Sequence, residues 1–148
     1  MQYLDTSALI KLLVLDEVGC ETMVSLMLQP GGHATSRLGL VEVASALSRM
    51  AREQRLSEAE ADELIAASRR ASELGLVLIE LDEAIQTEAA RYLRTYPLRA
   101  SDAVHLVSAL QAGADVFVCS DGRLLTAAEA EGLKCVDPTT PPHDVPES

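Results

Sequence analysis

Short apolar runs alternate along the chain with longer segments in which apolar residues recur every three or four positions. These are the patterns of strand and helix respectively. Gln2 to Asp5 reads as a short strand, followed by a helix through Leu13 that Thr6 or Ser7 can cap. Residues 17–28 read as a second helix, stopped by the breaker Pro30-Gly31-Gly32. Residues 33–35 fit a strand, and Ser36 caps a helix reaching Arg52 in which Leu40, Val43, Ala44 and Leu47 share one face. Ser57 and Glu60 have the spacing of a capping box, and Gly75 closes the helix they open. Leu76 to Leu81 is a strand; Asp82 caps the next helix, which Pro97 ends by Tyr96. Residues 101–112 are helical, 116–119 a buried strand, 121–131 a helix and 133–136 a last strand. Strands and helices in alternation predict an α/β fold with a central, mostly parallel sheet and helices on both faces.

Composition narrows this picture. A chain of 148 residues that is 48% hydrophobic fits one domain with a real core and excludes wholesale disorder. Four of its six prolines fall in residues 137–148, so the domain is expected to span 1–137 and a Pro-rich tail, extended or flexible, to span 138–148. No segment approaches the roughly 20 apolar residues of a membrane helix. The run from Leu9 to Leu15 is broken by Lys11, closed by Asp16 and Glu17, and lacks the marks of a signal peptide. A cytoplasmic location follows as the expectation. Cys20, Cys119 and Cys135 form no CxxC pair and no metal framework with His33, His105 or His143, and read as small buried hydrophobes in a reducing compartment.

Charge and aromatic content set a constraint on partners. Aromatics are 3% of the chain, which disfavours a surface that stacks successive bases. Twelve basic residues stand against 23 acidic ones, a net charge of −11 that argues against broad phosphate binding. Ten of the twelve are Arg, and eight of those lie between Arg49 and Arg99. They read either as solvated helix faces or as the border of a phosphate-binding groove.

Four acids stand out from the rest. Asp5 ends the first strand and Asp121 follows the strand at 116–119. Ligands of open parallel sheets bind at the carboxyl ends of strands, so these two can share a crevice. Asp102 sits in the first turn of its helix, and Glu42 is the one charge within Leu38-Gly39-Leu40-Val41-Glu42-Val43-Ala44. Taken singly, Asp5 and Asp121 can be helix caps and Asp102 can complement a helix dipole. Glu42 is expected to be partly buried, with no Lys or Arg three or four residues away, so it calls for a cation from elsewhere or a metal. Converging carboxylates repel one another unless a divalent cation joins them, and an all-oxygen set suits Mg²⁺ or Mn²⁺. Two such ions roughly 3.5–4 Å apart serve phosphodiester hydrolysis. His105 reads as a packed helix residue, with metal ligand or base as the other reading.

Tyr3-Leu4-Asp5-Thr6-Ser7-Ala8-Leu9, Leu40-Val41-Glu42-Val43, Leu98-Arg99-Ala100-Ser101-Asp102-Ala103-Val104-His105-Leu106 and Ser120-Asp121-Gly122-Arg123-Leu124 together resemble the PIN-domain ribonucleases. The likeness is greatest to VapC toxins of type II toxin–antitoxin pairs and runs from Tyr3 to about Pro138. It implies a PIN domain over 1–137, with a three-layer fold, and a Mg²⁺-dependent endoribonuclease, Mn²⁺ substituting. It also implies a homodimer held inactive by a VapB-type antitoxin. By the same resemblance Asp5 and Asp102 are the principal metal ligands, Asp121 and Glu42 complete the acidic pocket, and Thr6 and Ser120 hydrogen-bond into it from behind. Ser101 departs from the pattern, which often has a bulkier residue there. Two other readings stay open: a catalytically silent dimeric module of the same fold, and a Mg²⁺-dependent aspartate-type phosphatase. The latter usually has a second acid beside the first and a later Lys, whereas here Thr6-Ser7 follow Asp5 and no Lys lies between Lys11 and Lys134.

Overall fold

The computed structural model describes residues 1–140. In chain order the elements are β1 (Gln2–Leu4), α1 (Thr6–Leu13), α2 (Cys20–Met27), β2 (His33–Ser36), α3 (Arg37–Arg52), α4 (Glu58–Arg69) and β3 (Leu76–Ile79). They continue with α5 (Glu83–Thr95), α6 (Ala100–Gln111), β4 (Val116–Val118), α7 (Gly122–Ala130) and β5 (Lys134–Val136). The sheet runs β3-β2-β1-β4-β5 with every neighbouring pair parallel. The expected α/β architecture is therefore what the chain adopts.

Alternation along the central strands sorts the helices into two layers. Leu4 and Val118 pack with Leu9, Met23, Val43 and Leu47 of α1, α2 and α3. Their neighbours Tyr3 and Phe117 face the other way, onto Leu106 and Ala109 of α6 and Leu124 and Ala127 of α7. Both faces are covered, which explains why strands of three or four residues suffice.

Three boundaries differ from the sequence expectation, each for a local reason. Strand β3 stops at Ile79, the last residue in register with β2 at Ser36, and Leu81 beyond it is exposed. Helix α2 begins at Cys20 rather than at 17, because Gly19 turns the chain with a φ of +94°. The cap of α1 is Asp5, not Thr6 or Ser7: its carboxylate accepts the Ala8 N–H at 3.0 Å. A carboxylate at that position satisfies an orphan donor and complements the helix dipole as well.

The chain also stays packed one residue past the expected boundary. Pro138 is buried, and its carbonyl lies where a Cβ on Gly19 would approach to 2.5 Å. Asp137 accepts the backbone N–H of Thr139 at 2.9 Å and its hydroxyl at 2.6 Å. The remainder of the Pro-rich segment, residues 141–148, lies outside the described residues. No helix among the described residues is long and apolar enough to cross a membrane.

Gly19→Ala forces both a left-handed backbone and a clash with Pro138 upon a side chain. It is expected to cost about 1–3 kcal/mol in urea unfolding. A loss below about 0.3 kcal/mol, smaller than an ordinary glycine effect, would mean the Gly19–Pro138 contact does not hold in solution.

A carboxylate cleft at the switch point of the sheet

Strands β1 and β4 are neighbours, and their connections leave in opposite directions, to β2 on one side and β5 on the other. Their carboxyl ends thus flank a crevice at the point where the winding reverses. Asp5 is the residue after β1, and its backbone N–H still reaches the Val118 carbonyl of β4 at 3.1 Å. Asp121 follows β4 and caps α7, accepting the N–H groups of Arg123 at 2.9 Å and Leu124 at 3.4 Å. Asp102, in the first turn of α6, accepts the Arg99 N–H at 3.3 Å. Asp5, Asp102 and Asp121 line one cleft. Three helix N-termini converge there, and their partial positive charges offset some of the repulsion among the acids.

Capping and cleft lining turn out to be compatible uses of one side chain. Asp5 engages Ser7 and Ala8 through Oδ1 alone, Asp121 uses Oδ1, and Asp102 uses Oδ2. Each therefore keeps a second oxygen outside its cap. Burial, and the charges of Asp121 and Glu42, push the Asp102 carboxyl above its ordinary value; the Arg99 N–H and His105 oppose this only in part. Among the described residues, no group of three or more His, Cys, Asp or Glu side chains is drawn close enough to enclose a metal ion as it stands.

Glu42 is set back from this trio. It projects from α3, half-buried, and its Oε1 accepts the Thr6 hydroxyl at 2.8 Å and the Nε2–H of His105 at 2.6 Å. Burial alone would raise its carboxyl, but the hydrogen bond and charge of His105, with the Thr6 and Ser101 hydroxyls, hold it below the usual value. The partner that the sequence argument sought in a distant cation or a metal is thus a histidine on α6. His105 is the packed helix residue expected, 2% exposed on α6, and it is hydrogen-bonded at both ring nitrogens as well.

The two residues expected behind the site act differently. Thr6 reaches Glu42 through its hydroxyl. Ser120 reaches the site through its backbone, its N–H donating to Ser7 Oγ at 3.0 Å while the Ser7 hydroxyl donates to Asp5 at 2.7 Å. Ser7, expected as a cap, bridges the two strand ends instead.

The rim of the cleft is basic. Lys11, Arg49, Arg55 and Arg99 line it together with the three aspartates and Glu17. Four of the chain's twelve basic residues therefore gather at one place on a strongly acidic protein. Arg55 is paired with Glu17 at 2.8 Å, whereas Lys11, Arg49 and Arg99 form no ion pair among the described residues. Lys11 is 7% exposed, its stem laid along the cleft wall. The signal for Lys11 is its spacing on α1: Ser7, Ile10 and Lys11 occupy one helix face that begins at Asp5.

Comparison with known proteins decides the family. Residues 2–130 match the PIN domain. Ribonuclease VapC45 of Mycobacterium tuberculosis (strain CDC 1551 / Oshkosh) is 35% identical over 136 residues, covering 89% of this chain and 92% of its own. This chain belongs to the PIN-domain family, VapC type. Ribonuclease VapC49 of M. tuberculosis (strain H37Rv) matches equally, at 35% over 136 residues and the same coverage. Among solved structures, M. tuberculosis VapC20, a sarcin–ricin-loop-cleaving toxin, superimposes with a TM-score of 0.71 at 16% identity, over 90% of this chain and 96% of that one. A toxin–antitoxin complex from Klebsiella pneumoniae gives 0.61 at 20% identity, over 93% and 98%. Those two structures speak to the fold.

In this PIN domain the cysteines are less uniform than expected. Cys119 is buried beside Asp5, while Cys20 and Cys135 are only partly covered, at the start of α2 and on the edge strand β5. Burial pushes the Cys119 thiol far up, helped by the Asp5 charge, and burial and Glu129 push Cys135 up to about 11. The thiolate is the reactive form, so both are expected to resist iodoacetamide at pH 8, with Cys135 labelling only as pH approaches 11. Mass spectrometry of labelled peptides across pH 7–11 reads this out.

Asp102→Asn keeps an oxygen for the Arg99 N–H while removing a charge that its surroundings disfavour. With EDTA present its melting temperature is expected to equal or exceed that of the wild type. Asp121→Ala, which loses two capping bonds, is expected to be less stable by about 1 kcal/mol. A clearly destabilised Asp102→Asn would mark Asp102 as a structural cap first.

Proposed function

We propose that this PIN domain is a divalent-metal-dependent endoribonuclease, the toxin of a toxin–antitoxin pair, which hydrolyses RNA phosphodiester bonds at the cleft between β1 and β4. The observation that carries the reading is the meeting of Asp5, Asp102 and Asp121 with Lys11, Arg49 and Arg99 in one groove. Acids alone would repel a phosphodiester; acids with unpaired cations beside them can receive one once their charge is met.

The donor set fits a hard cation. The lining acids supply only carboxylate oxygens, and neither a histidine nor a cysteine joins them in the groove. Asp102 already feels uncompensated negative charge from Asp121 and Glu42. Asp5, Asp102 and Asp121 would hold the ion through the oxygens their caps leave over, with Glu42 behind them. When bound, Mg²⁺ or Mn²⁺ supplies Lewis acidity toward the phosphoryl group and a ready source of hydroxide at neutral pH.

The protein's own part is placement. Arg49 and Arg99 can each grip a non-bridging phosphate oxygen pair with a planar fork, and Lys11 adds a point charge deeper in the wall. The caps fix the three aspartates on rigid helix ends, so little reorganisation accompanies binding of substrate. Glu42, held ionised by His105 and Thr6, keeps a negative charge next to the reacting centre.

The charge distribution also bears on partners. With a net of −11, the surface outside the cleft repels RNA, so substrate is selected by shape at the groove rather than gathered broadly. The same surface suits a basic antitoxin. The fold neighbours include VapBC-1 from nontypeable Haemophilus influenzae and FitAB bound to an IR36 DNA fragment. An antitoxin of that kind, and a homodimeric toxin, belong to this reading.

Purified protein is expected to cut a mixed RNA pool only with Mg²⁺ or Mn²⁺ present, and Asp5→Asn is expected to lose at least 10²-fold. Equal cleavage by both proteins, or none by the wild type at several concentrations of either ion, would overturn the assignment. Mg²⁺ should raise the melting temperature by mass action, an effect blunted in Asp102→Asn. Arg49→Ala and Arg99→Ala should each weaken RNA binding several-fold and lower the salt slope by about 0.7 per lost contact.

A further inference from the structure

Behind the cleft runs a chain of hydrogen bonds that the proposed chemistry does not itself require. Tyr3 lies on β1, is fully buried, and stacks on Phe117 of β4 with ring centroids 5.5 Å apart and planes 7° from parallel. Its hydroxyl is 2.8 Å from His105 Nδ1. The opposite ring nitrogen, Nε2, is 2.6 Å from Glu42 Oε1 and 3.1 Å from Thr6 Oγ1. The Thr6 hydroxyl donates to the same Oε1 at 2.8 Å.

The proton positions follow from the partners. A carboxylate can only accept, so Nε2 must carry hydrogen whether the ring is neutral or charged. In the neutral ring Nδ1 is then the acceptor, and the Tyr3 hydroxyl donates to it. The alternative tautomer would set a nitrogen lone pair against a carboxylate oxygen at 2.6 Å. Glu42 thus fixes the tautomer of the imidazole, and the Tyr3 hydroxyl, donating to the nitrogen left as acceptor, holds the rotation of the ring.

The effect on Glu42 is specific to one oxygen. Oε1 receives two donors, from Thr6 and His105, which fills its usual acceptor capacity. The ring itself has little room to turn: a Cβ on Gly39 of α3 would lie 3.4 Å from His105 Cε1 and 3.2 Å from Thr35 Oγ1. A side chain at Gly39 would press on both neighbours by a few tenths of an ångström.

We propose that Tyr3 and His105 form a positioning relay from the sheet core to Glu42, which fixes Glu42 behind the cleft by holding its Oε1. This rests on the cleft being a divalent-metal site. Removal of the donor at His105 would free Glu42 to rotate, and loss of an outer-shell partner of this kind typically weakens metal affinity 10–100-fold.

The test measures Mn²⁺ binding to the full chain by calorimetry and by electron paramagnetic resonance, with kcat and KM for RNA cleavage alongside. Circular dichroism reports the folded fraction of each variant. His105→Leu is expected to weaken Mn²⁺ binding about tenfold or more and to lower kcat with little change in KM. His105→Gln, whose amide nitrogen can occupy the place of Nε2, should recover most of both. Tyr3→Phe, which keeps the ring stack but not the hydroxyl, should weaken Mn²⁺ binding by a smaller factor, and it serves if His105→Leu fails to fold. Adding His105→Leu to Glu42→Gln should cost nothing beyond Glu42→Gln alone.

The relay is wrong if wild-type protein binds Mn²⁺ and the folded His105 and Tyr3 variants bind it equally well, or if the double variant is additive. Absence of Mn²⁺ binding in the wild type sinks the metal reading itself, and the relay with it, and is told apart by that single measurement.

Discussion

Strand β1 lies between β2 and β4, and the chain reverses its direction of winding across that pair. The hydrogen bond from the Asp5 N–H to the Val118 carbonyl extends the β1–β4 ladder one residue beyond the paired strands. That contact sets where α1 starts, and with it where Asp5, Thr6, Ser7 and Lys11 stand. It also sets the distance to Asp121, since Ser7 Oγ joins the Ser120 backbone to the Asp5 carboxylate. Were β1 to shift by one residue, Tyr3 and Leu4 would exchange faces, and both cores would lose their central side chains.

The two faces of β1 therefore have separate duties. Leu4 and its neighbours hold α1 and α3 on one side of the sheet. Tyr3 holds α6 on the other, both through the apolar core and through His105. Glu42 belongs to α3 and His105 to α6, so their 2.6 Å contact ties the two helical layers together across the carboxyl end of the central strands. The acidic site is consequently sensitive to packing in either core, although its own residues are mostly on helix termini.

Much of this was legible in the sequence, for identifiable reasons. Strand–helix alternation gave the parallel sheet, and the caps at Ser36, Ser57 and Asp82 appear where their spacing placed them. Asp5 and Asp121 could be assigned to one crevice because a general rule of parallel sheets locates it. Contacts between elements distant in sequence were not legible. His105 is 63 residues from Glu42, and no periodicity announces that pairing. The neighbours of Glu42 in sequence show that it lacks a local partner, but not which of many distant groups fills the need. Lys11 is illegible as part of the cleft because a lone cation in an apolar run reads as an interruption, not as a stem lying in a wall.

Each aspartate of the cleft commits one oxygen to a helix cap and leaves the other outside it. An asparagine could keep that cap and forfeit the charge on which the proposed metal site rests. Folding and chemistry at these positions are thus separable by a single atom, and natural drift can extinguish one without leaving a trace in the other. A descendant of this chain could keep every strand, cap and core contact while having fallen silent, so inheritance of the architecture is no guarantee of inheritance of the activity.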